Sequence, residues 1–214
     1  LGAWTYEAIW CPFADFFRRY GGSALLILGL IACYRISDVV MGVMSNSFYV
    51  DLQFSKTEVA TITKVYGVIM TLVGAALGGV LVMRFGTLRI LFLGAVLTAS
   101  TNLLFALLNE VGHDLELLTL IISLDNLSAG IATAAFVTYL SSLTNVAFSA
   151  TQYALFSSIM LLMPKLLAGF SGQVVEQIGY SSFFVGTSLL GIPVMILIIM
   201  VAKRGDALLP QADK

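Results

Sequence analysis

The sequence predicts an all-α membrane protein in which six transmembrane helices form one bundle of two inverted three-helix repeats. Composition is the first ground: 59% of the 214 residues are hydrophobic and 11% charged, with a mean hydropathy of +0.97, whereas a soluble domain is about one quarter charged. Span length is the second, since six apolar runs match the ~20 helical residues that cross a hydrocarbon core of ~30 Å. The third is the return of two motifs at an offset of about 93 residues.

Residues 1–22 read as a cytoplasmic linker segment, too polar and too aromatic for a cleavable signal peptide. Because the first residue is Leu1 rather than methionine, we expect the chain to be part of a longer protein. The bundle occupies 23–202, with spans near 23–47, 58–83, 88–108, 117–143, 151–175 and 182–202, and 203–214 form a cytoplasmic tail. Short connections carry the polar and turn residues: YVDLQFSK, RFGT, NEVGHDLE, NVAFSA and EQIGYSS. The ten-residue alternating segments of a transmembrane barrel are missing from the pattern. Gly74 and Gly78 form a GxxxG pair, and Gly42, Gly67, Gly130, Gly169 and Gly172 add small positions where helices can approach. Pro164 removes a backbone donor inside the fifth span and is expected to kink it.

Charge position sets the orientation. Arg18 and Arg19 precede the first span, Arg84 and Arg89 flank the second connection, and Lys203 and Arg204 follow the sixth span. All fall on one side, which the positive-inside rule makes cytoplasmic. Lys56 lies on the other side with Asp51 and Glu58. A net charge of −1 gives no basic surface for nucleic acid. Cys11 and Cys33 lack metal-ligand spacing and read as buried thiols, and the lone His113 reads as a solvated loop residue. No metal or cofactor is expected, and no grouping of nucleophile and base suggests an enzyme.

The repeat pairs FSKTE (Phe54 to Glu58) with FSATQ (Phe148 to Gln152), and GGVLVMRFGT (Gly78 to Thr87) with SGQVVEQIGY (Ser171 to Tyr180). Ser-x-x-Glu and Ser-x-x-Gln are capping-box patterns, so the second and fifth helices are expected to start alike. Three spans per copy force the second copy to enter the membrane upside down.

Five ionisable residues lie inside the apolar runs: Arg35, Asp38, Lys64, Asp125 and Lys165. At 1.5 Å per helical residue all fall roughly 8–12 Å below the outer boundary. Each costs at least ~2.5 kcal/mol facing lipid, so they are expected to face one another or water inside the bundle. Arg35 and Asp38, three apart, can form a local ion pair, and Lys64 and Lys165 can instead snorkel outward. Asp125 has no such neighbour in sequence and is the leading candidate, with Asp38, for coupling protons. Arg35, Lys64 and Lys165, with the polar Tyr34, Asn126 and Gln152, are candidates for binding an anionic substrate; Thr133 and Tyr153 are further polar neighbours.

The second connection reads Gly79-x-Leu81-x-x-Arg84-x-Gly86-x-x-Arg89. It resembles the cytoplasmic loop motif of the major facilitator superfamily, with Met83 where that family usually carries aspartate, which weakens any gating role for a carboxylate there. DFFRRYGG, DLQFSKTEVATITKVYG, DNLSAGIATAAFVTYLSSLTN and FSATQYALFSSI look like the C-terminal half of AmpG-type muropeptide permeases, across nearly the whole chain. The resemblance implies one six-helix half of a twelve-helix importer in the bacterial inner membrane, surrounded by lipid and partnered by an N-terminal half of about six helices. It also implies proton-driven uptake of anhydromuropeptides, anionic sugar-peptide fragments of the cell wall, for peptidoglycan recycling. A transporter of another organic anion, such as a coenzyme-A ester or a siderophore, is the alternative substrate class. A membrane-embedded enzyme and a purely structural helical subunit are the other classes weighed.

Six spans return the chain to its starting side. Alkaline phosphatase fused after Arg204 is therefore expected to be inactive, and fused after His113 active; activity after Arg204 reverses the orientation.

Overall fold

The computed structural model describes residues 11–205. The helices are α1 (Cys11–Tyr20), α2 (Ala24–Cys33), α3 (Ile36–Asp51), α4 (Lys56–Thr61), α5 (Val68–Phe85), α6 (Thr87–Val111), α7 (Leu115–Leu143), α8 (Ser149–Ala168), α9 (Ser171–Leu189) and α10 (Gly191–Gly205). Six helical stretches are long and apolar enough to cross a membrane. The first starts from α2 and continues through α3. The run of 41 residues from Cys11 to Asp51 would extend about 60 Å at 1.5 Å per residue, twice the hydrocarbon thickness, so α1 precedes the span.

Hydrogen bonds between connections establish the up-and-down course. Arg204 donates to the Gly22 carbonyl and Arg19 to the Leu143 carbonyl, which puts both ends of the bundle and the fourth connection together. At the opposite end, Tyr180 donates to Asp51, Asn109 to Ser181, and Ser181 to Glu110. The first end holds Arg18, Arg19, Arg84, Arg89, Lys203 and Arg204; the second holds Asp51, Glu58, Glu110, Asp114, Glu116 and Glu176.

The boundary between the fifth and sixth spans is a single glycine. Ser171 donates to Val40 midway along the first span, Tyr180 reaches Asp51 at its far end, and Ser37 donates to Thr187 midway again. The chain therefore reverses at Gly179, where φ is 77° and ψ 168°. Gly86, at the second reversal, has φ 85° and ψ 155°. These backbone angles are essentially confined to glycine, and the two glycines are 93 residues apart. The inverted repeat read from the sequence is thus present in the backbone.

The two copies differ where the capping boxes were expected. Ser55 caps its helix with both reciprocal bonds to Glu58. In the second copy Phe148 holds the cap position without a side-chain bond, because Gln152 is turned toward α1 instead. Three irregularities were not expected. The first span breaks at Tyr34–Arg35, the second contains a π-helical turn at Ile62–Gly67, and the sixth is interrupted at Leu190. Pro164 lies inside α8, which ends four residues later at Ala168.

Close packing centres on the second and fourth spans. Gly67, Thr71, Gly74 and Gly78 form one stripe of the second span. A Cβ on Gly74 would run into the Leu127 carbonyl, and one on Gly78 would lie 2.9 Å from the Ile131 Cα. Gly130 returns the contact, facing the Thr71 carbonyl. Gly42 and Gly172 face open space and take no part. The second and fifth spans are otherwise little covered, 17% and 11% buried against 39–50% for the other four. One side of the bundle is therefore left open.

Replacing Gly74 with Val is expected to lower stability by about 1–3 kcal/mol or more through overpacking against backbone. Gly79→Ala, whose Cβ would meet nothing within 4 Å, should be neutral or stabilising, since glycine weakens a helix interior by roughly 0.5–1 kcal/mol. Thermal melting in detergent checks the contrast between these neighbouring helical positions.

Candidate functional site

At the break in the first span the helix stops at Cys33 and restarts at Ile36, with Arg35 at φ −96° and ψ 9°. Restarting there turns Arg35 and Asp38 toward the same side, and an Arg35 Nη2 to Asp38 Oδ2 ion pair forms at 2.5 Å. Asp38, in the first turn of α3, also sits favourably at the positive end of the helix dipole. A cavity opens beside this pair, with ≈ 20 Å³ for the centres of water molecules, lined by Tyr34, Arg35, Asp38, Thr98, Thr133 and Gly191 among others. That is room for about one water.

Asp125 stands one turn along the fourth span from Ala129, which lines the cavity, and Thr133 follows one turn further on the same face. Its Oδ1 accepts a hydrogen bond from the Thr101 hydroxyl at 3.0 Å. No cation lies within ion-pair distance among the described residues. The nearest charge acting on it is that of Asp38, itself held by Arg35. Asp125 can therefore exchange a proton without breaking an ion pair, whereas Asp38 cannot.

A buried polar network adjoins it. Asn102 donates to Ser37 at 2.8 Å and to Thr187 at 3.3 Å, Ser37 donates to the Thr187 carbonyl at 2.6 Å, and Ser188 donates to the Ala99 carbonyl at 2.7 Å. These bonds tie the break in the first span to the third and sixth spans. Asn102 Oδ1 is buried with no partner among the described residues. Sequence reading passed over Ser37, Thr101, Asn102, Thr187 and Ser188. The run TASTN at 98–102, four polar side chains in an apolar span, was the available signal.

The other sequence candidates are placed separately. Tyr34 is buried, stacks on Phe136 at 4.4 Å and donates to the Leu91 carbonyl. Asn126 accepts from Thr71 and packs against Gly67, inside the seam of the second and fourth spans. Lys64 and Lys165 are exposed on different faces. The five charges expected to face one another are thus divided: Arg35, Asp38 and Asp125 lie inside the bundle, and Lys64 and Lys165 are exposed beside two separate cavities. Of the loop motif, Arg84 lies over the Phe85 ring and Gly86 makes the reversal.

Gln152 lies at the basic end, 1% exposed. Its amide donates to the Pro12 carbonyl and to Asp15, and its oxygen accepts from Arg19 and the Asn145 amide. Asp15 also accepts from Asn145 and pairs with Arg19 at 2.9 Å. Burial pushes the Asp15 carboxyl up, but the hydrogen bonds from Gln152 and Asn145 and the charge of Arg19 outweigh it and hold the group below the usual carboxylate range. The cluster straps α1 across the ends of the fourth and fifth spans.

The family model of the Major Facilitator Superfamily matches residues 10–213. The chain is 33% identical to the AmpG 4 protein of Rickettsia felis over 202 residues, 94% of this chain and 48% of that protein. It is 34% identical to the AmpG 4 protein of Rickettsia conorii over 193 residues, 90% of this chain and 46% of the relative. With the anhydromuropeptide permease of Escherichia coli (strain K12) it shares 32% over 195 residues, 91% of this chain and 39% of the permease. The chain spans less than half the length of each.

Gln152→Ala removes the hub of the strap and leaves partners unpaired, at about 1–3 kcal/mol for each buried group. A fluorophore on Cys11, with Cys33 replaced by Ser, is expected to lose anisotropy in this variant at every pH. In the parent protein it should do so only on acidification. A carboxyl held low stabilises the strap above the unfolded value of about 3.9, and that stability is lost as pH falls through the folded value.

Proposed function

Because the chain belongs to the Major Facilitator Superfamily, we propose that it forms the C-terminal half of a proton-coupled importer that carries anhydromuropeptides across the bacterial inner membrane for peptidoglycan recycling. The observation that carries this reading is Asp125, a carboxylate inside the bundle with one hydroxyl donor and no cation, one turn from a cavity at a broken helix. The likeness to an anhydromuropeptide permease supports the choice of substrate.

Alternating access rocks one half of such a transporter against the other around a central site. The open side formed by the second and fifth spans is the surface on which an N-terminal half would move. In this reading Asp125 binds and releases the proton, while Asp38 keeps Arg35 oriented over the cavity. Arg35, with Tyr34 behind it, meets an anionic group of the substrate. Thr101 fixes the Asp125 carboxylate and, through its neighbour Asn102, joins it to the first-span break. Lys64 and Lys165 act at the periphery. Gln152 and Asn126 are already engaged in structural bonds, and they act by holding helices rather than by touching substrate.

The test is uptake of labelled anhydromuropeptide by cells expressing the full-length gene. Asp125→Asn is expected to abolish accumulation against a gradient while exchange down a gradient survives, with membrane abundance unchanged. Glu110→Gln, at the exposed acidic end, should have little effect. Normal accumulation by Asp125→Asn at normal abundance rules out the proton role. A wild type that accumulates a coenzyme-A ester or a siderophore instead rules out the muropeptide.

A further inference from the structure

At the acidic end a second cavity, of ≈ 370 Å³, opens between the first and second spans and is lined by Asn46, Tyr49, Phe54, Lys56, Thr63 and Lys64 among others. Two ammonium groups share it. Lys64 lies within the π-helical turn Ile62–Gly67, a wide turn that sets the register in which both lysines line one cavity. Neither has an ion-pair partner among the described residues. The acids closest in sequence are occupied, Asp51 by the Tyr180 hydroxyl and Glu58 by its capping box with Ser55.

Lys56 is the first residue of α4, whose free amide groups are met by the Ser55–Glu58 capping box, so the attraction for an anion in the cavity comes from the two lysines. Tyr49 supplies an independent indication. It is 6% exposed and lines the cavity, and its hydroxyl has no hydrogen-bond partner among the described residues. The Tyr49 hydroxyl is not sealed off and is free to donate to a ligand in the cavity. Two ammonium groups and a phenolic donor match one kind of ligand, an anionic oxygen group such as a carboxylate or phosphate.

We propose that this cavity is an entry subsite that captures a carboxylate of the incoming anionic solute before it reaches the central cavity. The proposal rests on the reading of the protein as a solute importer. Capture by exposed lysines acts mainly on encounter, so it changes the concentration at which transport saturates rather than the maximal rate.

The test uses the full-length protein, wild type, Lys56→Gln with Lys64→Gln, and Tyr49→Phe. For uptake of labelled anhydromuropeptide the double variant is expected to raise KM about tenfold with kcat within about twofold, and added salt should move the wild type the same way. Tyr49→Phe should raise KM by a smaller factor. In parallel, citrate is titrated onto purified protein in lipid-free detergent. Wild type should gain thermal stability and the double variant should not. If wild type takes up no anhydromuropeptide but this citrate difference persists, the subsite stands and the substrate assignment falls. Unchanged KM together with an unchanged citrate response overturns the subsite. So does a difference that appears only when anionic phospholipid is present, because the ligand is then a headgroup.

Discussion

Hydrocarbon offers no hydrogen-bond partner, so each polar group that enters the bundle must be satisfied by another helix or by trapped water. The placement of nearly every polar side chain between the two ends follows from this. Ser123 and Ser128 turn back to carbonyls four residues earlier in their own helix. Ser37, Asn102 and Ser188 instead bond across spans, and Thr187, which donates back to the Phe184 carbonyl, also accepts from Asn102. Those cross-span bonds fix the first, third and sixth helices against one another, and Arg35 and Asp38 neutralise each other at the break beside them. Asp125 is the exception, satisfied by a hydroxyl alone. A group kept under such a constraint without a counter-charge is where a functional role is expected.

Packing obeys a related limit. Lipid tails are as apolar as leucine, so helix association gains little from hydrophobicity and depends on close contact. The stripe of Gly67, Thr71, Gly74 and Gly78 against Gly130 provides that contact on one side of the second span. Its other side presents Val68, Ile69, Leu72 and Val80 outward. One helix thus provides the tightest seam of the bundle on one side and leaves its other side uncovered.

The six spans, their connections and the inverted repeat were legible because length, apolar content and turn residues fix them locally. The local Arg35–Asp38 pair was legible because the two residues are three apart in sequence, although Arg35 proves to precede the helix that carries Asp38. What stayed hidden depended on distant partners. Gln152 has the spacing of a capping box, yet Asp15 and Arg19, over 130 residues earlier, offer it more bonds than its own helix end. Lys64 was grouped with the central charges by depth alone, and a shared depth does not imply a shared face. The break at Tyr34–Arg35 carries no proline or glycine, the usual marks of an interrupted helix, whereas the one at Leu190 is followed by Gly191 and Pro193, a proline that cannot bond to the Leu189 carbonyl, and that signal was passed over.

The repeat also accounts for where the central cavity lies. An offset of about 93 residues carries the Tyr34–Asp38 stretch of the first span onto Leu127–Ile131 of the fourth, and both stretches contribute to the cavity lining, the second through Ala129. Equivalent segments of the two copies therefore meet near the axis relating them. They meet with unequal chemistry, since the first copy contributes an arginine, an aspartate and a broken helix, and the second contributes small residues on an unbroken one. Small residues leave the space that the charged pair faces. Asp125 stands on the unbroken helix, and Arg35 and Asp38 stand at the break of the other. Backbone geometry is thus duplicated across the axis, but a carboxylate held by a hydroxyl alone and a mutually neutralised charge pair are set on opposite sides of it.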